Sequence, residues 1–148
     1  MRSTTAFWDA SALVPLCVQE SASRFAQSQL RKFTPVVWWG SFVEIQSAVC
    51  RLQRERDLTD SGMRGALARL RLLSRGWKEI LPGDALRELA LRLLGEYPLR
   101  AADSLQLAAS LTWCESRPTR RSFVCADKKL SNAAKSVGFS VIELGAAV

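Results

Sequence analysis

Two kinds of hydrophobic pattern alternate along the chain. One is a short run of consecutive apolar or β-branched residues, which a strand buried on both faces needs. The other spaces apolar residues three and four apart, which one face of a helix needs. "TAFW" (5–8) predicts a first strand. "ASALVPLCV" and "SASRFAQSQLRK" predict one broken or two short helices, with Ser21 as a cap and Pro15 in a first turn or at a kink. "TPVVWW" (34–39) predicts a second strand, after which Gly40-Ser41 starts a helix to about Arg56 with Ile45, Ala48, Val49 and Leu52 on one face. Thr59 or Asp60 caps the next helix, whose stripe is Met63, Ala66, Leu67, Leu70 and Leu73. "WKEIL" (77–81) is a third strand candidate, and Pro82-Gly83-Asp84 begins a helix to about Gly95. "PLRAADSLQLAASLTWC" (98–114) predicts an Ala- and Leu-rich helix, "SFVCA" (122–126) a strand ending at Asp127, "KKLSNAAKSVG" a helix closed by Gly138, and "SVIEL" (140–144) a last strand.

Strands alternating with helices require crossover connections, so the expected fold is α/β, with a central, mainly parallel sheet covered on both faces. No repeat, low-complexity linker or composition break divides the chain, and a single domain over 1–148 is expected. In such sheets sites form at the carboxyl ends of strands. Asp9 and Asp127 each follow an apolar strand, which places both on that edge.

Composition narrows the chemistry. The chain has no histidine, which removes Ser-His and Cys-His relays, a histidine base and histidine metal ligands. The cysteines at 17, 50, 114 and 125 lack the close pairing of a zinc knuckle and read as small core residues of a reduced, cytoplasmic protein. Asp9 interrupts the place where a signal peptide's apolar segment would lie, and no apolar run is long enough to span a membrane. The formal charge is +7, which favours an acidic partner such as nucleic acid or an acidic protein.

Four acids stand out against this background. Singly, each has a plain account: Asp9 and Asp127 as helix N-caps, Glu44 in "SFVEIQSAV" as a first-turn acid, and Asp103 as the partner of Arg100 three residues earlier. Together they form a set of carboxylates that one sheet edge can collect. Clustered carboxylates oppose folding unless a cation offsets them. A set without His or Cys suits a hard divalent ion such as Mg²⁺, which can activate water and stabilise charge on a phosphate oxygen. A haloacid-dehalogenase-type phosphatase would need a second Asp at position 11, where Ser11 stands. A response-regulator receiver would need an adjacent acid pair, whereas Asp9 is flanked by Trp8 and Ala10.

"FWDASALVPL", "SFVEIQSAV", "PLRAADSLQLAAS" and "SFVCADKKLSNAAKSVGFSVI", in that order and at these separations, resemble the PIN domain family, most closely its VapC-type toxins of bacterial toxin–antitoxin pairs. The resemblance spans nearly the whole chain. It implies a three-layer α/β/α fold and a Mg²⁺- or Mn²⁺-dependent endoribonuclease. It matches Asp9, Glu44, Asp103 and Asp127 to the family's four acids, with Asp9 and Asp103 most like direct metal ligands and Ser11 supporting the first. It also implies an RNA substrate, a homodimer and a cognate VapB-type antitoxin. Two positions depart from the pattern: Tyr97 stands where relatives often carry His, and Cys125 where they often carry Thr. Rival readings are a PIN-fold RNA-processing nuclease without antitoxin and a non-cleaving PIN-fold binding module.

The remaining charge concentrates in "RLQRER" (51–56), in arginines 64, 69, 71 and 75, and in "RPTRR" (117–121). These read as solvated faces that collectively guide RNA. The five tryptophans read mostly as core.

Overall fold

Alternating strand and helix patterns give alternating strands and helices. A computed structural model describes residues 4–145. In chain order the elements are β1 (Thr4–Trp8), α1 (Ala10–Cys17), α2 (Ser23–Lys32), β2 (Phe33–Trp38), α3 (Ser41–Arg54), α4 (Asp60–Gly76), β3 (Lys78–Ile80), α5 (Asp84–Glu96), α6 (Ala101–Trp113), β4 (Ser122–Cys125), α7 (Lys128–Val137) and β5 (Ser140–Glu143). The five strands form one sheet in the order β3-β2-β1-β4-β5, and every pairing is parallel. Helices cover both faces, so the architecture is three-layer α/β/α, as the crossover argument requires.

The period of two along each strand divides the core. Phe7, Val36, Trp38, Phe123 and Cys125 face α5, α6 and α7. Ala6, Trp8, Val37 and Val124 face the other side, against Leu13, Ala26, Ile45 and Leu70 from α1 to α4. Phe7 and Phe123 stack at a centroid distance of 5.3 Å across the β1–β4 pair. Cys17, Cys114 and Cys125 are buried and Cys50 is half-buried, all four as free thiols. No helix among the described residues is long and apolar enough to cross a membrane.

Strand order matters more for function than strand count. The chain steps from β1 outward to β2 and β3, then returns across the sheet to β4 on the other side of β1. The connections leaving the carboxyl ends of β1 and β4 therefore turn to opposite sides. They open a crevice at this switch point, the usual ligand position in open α/β sheets.

Several expectations change in detail. Ser21 does not cap α2: the N-cap is Ala22, without a side-chain hydrogen bond. The local serine contacts come instead from Ser23, whose hydroxyl donates to the Val18 carbonyl at 3.0 Å and accepts from the Glu20 amide at 2.8 Å. Helix α6 begins at Ala101 rather than at Pro98, because Arg100 is extended (ψ 167°). Asp103 thus sits in a first turn, where a carboxylate suits the helix dipole, and not in a helix interior. Trp39 lies beyond β2 and is 51% exposed, whereas Trp38 is buried. Gly40 has a packing reason, since a Cβ there would come within 2.5 Å of Trp38 Nε1.

Candidate active site

Asp9 follows β1 directly, and its location determines its environment. Its carboxylate N-caps α1, accepting from the Ser11 amide at 3.1 Å and from the Ser11 hydroxyl at 2.8 Å. The Ser11 hydroxyl also accepts from the Ala126 amide at 2.9 Å. One serine therefore ties the end of β1 to the loop after β4. Only 4% of Asp9 is exposed. Burial pushes its carboxyl up to about 7, the Ser11 hydrogen bonds hold it down in part, and the charge of Asp127 raises it further.

Asp127 N-caps α7, accepting from the Leu130 amide at 2.9 Å. Cys125 lies between these two acids. Its thiol meets the Asp127 amide at 3.4 Å and approaches the Ser11 hydroxyl at 3.9 Å. Burial first, and then the Asp9 charge, push that thiol well above its usual range, so it remains a neutral packing group.

Asp103 lies in the first turn of α6 and is half-buried. Burial and then Asp127 raise its carboxyl, while the Arg100 amide, the Arg100 guanidinium and Lys129 oppose the shift. The Arg100–Asp103 ion pair, the plain alternative account of Asp103, is not among those formed by the described residues. Arg100 acts on Asp103 at longer range. Glu44, in the first turn of α3, is raised by burial, lowered by a hydrogen bond from Gln106 and raised by Asp103. The four acids are thus electrically linked in series, Glu44 to Asp103 to Asp127 to Asp9.

Gln106 gave no signal in the sequence. It is 1% exposed, three residues after Asp103 on α6. Its Nε2 donates to Glu44 Oε2 at 2.6 Å and to Ser41 Oγ at 2.8 Å, while its Oε1 is buried without a partner. An orphaned buried acceptor of this kind costs about 1–3 kcal/mol. The reverse amide orientation would set Oε1 against the Glu44 oxygen, acceptor against acceptor, and the observed one avoids this.

Arg100, Ala102, Asp103, Asp127, Lys128 and Lys129 line an open cavity of about 520 Å³. Lys128 also reaches Glu143 at 3.5 Å on its other side. The cations beside the acids are therefore Arg100, Lys128 and Lys129, and none belongs to the arginine-rich stretches that stand out in the sequence. Two of those arginines are engaged elsewhere: Arg69 donates to the Cys17 carbonyl at 2.7 Å, and Arg121 lies 5.3 Å from the Trp113 ring centre.

Among the described residues, no three acid or thiol side chains stand close enough together to ligate one metal ion directly. The donors are nevertheless of one kind, carboxylate oxygen. That chemistry fits a hard divalent cation that keeps part of its water shell.

No family model matches the chain, and no curated protein matches it. Solved structures do. A toxin–antitoxin complex from Klebsiella pneumoniae aligns with a TM-score of 0.60 at 17% identity, covering 95% of this chain and 98% of that one. The crystal structure of PAE2754 from Pyrobaculum aerophilum aligns with a TM-score of 0.65 at 18% identity, covering 95% of this chain and 90% of that one. At these identities the likeness is one of fold.

Proposed function

We propose that this chain is a metal-dependent endoribonuclease of the PIN kind, acting as the VapC-type toxin of a toxin–antitoxin pair. What supports the reading is that Asp103 and Asp127 line one open cavity with Arg100, Lys128 and Lys129, while Asp9 lies near enough to feel the charge of Asp127 and Glu44 that of Asp103. The sequence motifs and a fold shared with a toxin–antitoxin complex support it. A basic surface suits both an RNA substrate and an acidic antitoxin segment. Exposed Leu91 and Leu94 on α5 give a second copy apolar area to cover.

Asp9 and Asp103 would hold the Mg²⁺ or Mn²⁺, with Glu44 and Asp127 completing the set through water. Such an ion supplies a water acidic enough to attack near neutral pH and an offset for charge on the phosphate oxygens. The protein does the rest. Ser11 holds Asp9 at the strand end, and the Arg100 amide supports Asp103. Arg100 and Lys129 attract the phosphate backbone past the acids. With no histidine in the chain, a carboxylate or a bound water would have to handle the protons. Among the carboxylates, Glu44 is the one held in place by the Gln106 amide, at 2.6 Å.

The test is a cleavage assay on labelled cellular RNA with Mn²⁺, Mg²⁺ or EDTA, beside Asp9→Asn and Asp103→Asn. Cutting that needs the metal and both acids supports the nuclease. Folded, metal-loaded, antitoxin-free protein that cuts nothing points to the binding module.

A further inference from the structure

We infer that Gln106 is a positioning residue that holds Glu44 in register with Asp103, an inference that rests on the nuclease reading above. Glu44 and Asp103 come from helices on opposite faces of the sheet, α3 and α6, and stand 59 positions apart in the chain. Their separation is set by whatever spans α3 and α6. Gln106 spans them at the carboxyl edge. Both hydrogens of its Nε2 are used, one on Glu44 Oε2 at 2.6 Å and one on Ser41 Oγ at 2.8 Å. Ser41 is the first residue of α3 and Glu44 stands three positions on, so the amide grips one turn of that helix at two points.

The amide is itself held firmly. Its residue lies on the same helix as Asp103 and is almost wholly enclosed. The neighbouring Ser104 hydroxyl donates to the Ala90 carbonyl, which fastens this stretch of α6 to α5. The unpartnered Oε1 completes the argument. If Gln106 served packing alone, an apolar side chain of similar length would avoid that orphaned acceptor. The sequence keeps an amide whose donor side is fully engaged and whose acceptor side is not. What an amide gives here and an apolar side chain cannot is a charge-assisted hydrogen bond that fixes one oxygen of Glu44 and leaves the other free.

The test is a double-mutant cycle on RNA cleavage, with thermal melting of each variant alongside. Gln106→Met keeps length and removes both donors. Its kcat should fall at least tenfold while KM stays within twofold, because no contact with substrate is lost. In a Glu44→Gln background the same substitution should change the residual rate by less than twofold, since the group it positions is already disabled. Equal losses in both backgrounds would mean that Gln106 acts through packing, and the inference would be overturned with the nuclease reading intact. Full activity in Glu44→Gln would overturn it too, by removing Glu44 from the machinery. A solution readout independent of turnover is the Gln106 side-chain amide in NMR. Its two protons should be protected from exchange in the parent and shifted in both Ser41→Ala and Glu44→Gln. Rapid exchange in the parent overturns the clamp, whatever the activity. Protected protons in a parent that cuts no RNA would overturn the nuclease reading and, with it, the catalytic use of the clamp.

Discussion

Asp9 makes the metal-free protein's stability depend on pH in an unusual direction. A carboxyl that ionises near 7 when folded and near 3.8 when unfolded is held more tightly by its proton in the native state. Its contribution is therefore present in full below the unfolded value and is lost as pH rises through the folded one. The full span is roughly 4 kcal/mol, and roughly 2–3 kcal/mol of it falls between pH 5 and pH 8. Asp9→Asn removes the titration while keeping shape. The Asn amide adds an offset that does not vary with pH, because its donors are buried where only acceptors were served. The slope with pH is the diagnostic quantity. Urea unfolding in EDTA at pH 5 and pH 8 should show the parent losing about 2–3 kcal/mol more than the variant over that interval. Glu44 and Asp103 titrate in both proteins, so their contributions cancel in the difference. At pH 8, Mn²⁺ at one hundred times its dissociation constant should restore about 2.7 kcal/mol to the parent and markedly less to Asp9→Asn. Parallel pH slopes for the two proteins would refute the burial argument. Equal stabilisation by Mn²⁺ would refute the assignment of Asp9 to the ion.

Further outcomes follow from the same geometry. Arg100→Gln and Lys129→Gln should each lower the slope of log affinity against log salt for single-stranded RNA by about 0.7, while Arg71→Gln, on α4, leaves it unchanged; fluorescence anisotropy measures this. Ser11→Ala removes the bridge from Asp9 to the Ala126 amide and should destabilise the fold by about 1–3 kcal/mol in chemical unfolding. Adjacent tryptophans should differ sharply: Trp38→Ala costs about 3–5 kcal/mol as a core deletion, and Trp39→Ala stays within about 1 kcal/mol as a surface change.

The five strands and the layer arrangement were legible because period two and period 3.6 are physical requirements of burial, and this chain satisfies both nearly everywhere. Legibility failed where a contact crosses the chain. Ser21 looked like a cap because it stands at the right distance before an apolar stripe, yet it was Ser23 that met the local amide and carbonyl groups. The start of α6 was misplaced because Arg100 is extended, and this moved Asp103 from an apparent helix interior to a first turn. The four acids were visible as residue types at strand ends and helix starts. What linked them was not, since Gln106 touches a residue 62 positions away. The cations at the cavity were missed for a related reason. Density along the sequence drew attention to the arginine stretches, whereas the fold gathers Arg100, Lys128 and Lys129 from the starts of two helices.

The return of the chain from β3 to β4 has a consequence for synthesis. Asp9 and Glu44 lie in the first half of the chain, and Asp103 and Asp127 enter only after the polypeptide has passed the far edge of the sheet. A nascent chain on the ribosome cannot assemble the four acids until residue 127 has emerged and β4 has docked beside β1. If the chain cuts RNA as proposed above, this ordering would delay activity until the ribosome has translated past the last acid, and the message and the machinery that produce it would not meet a working active site in the meantime.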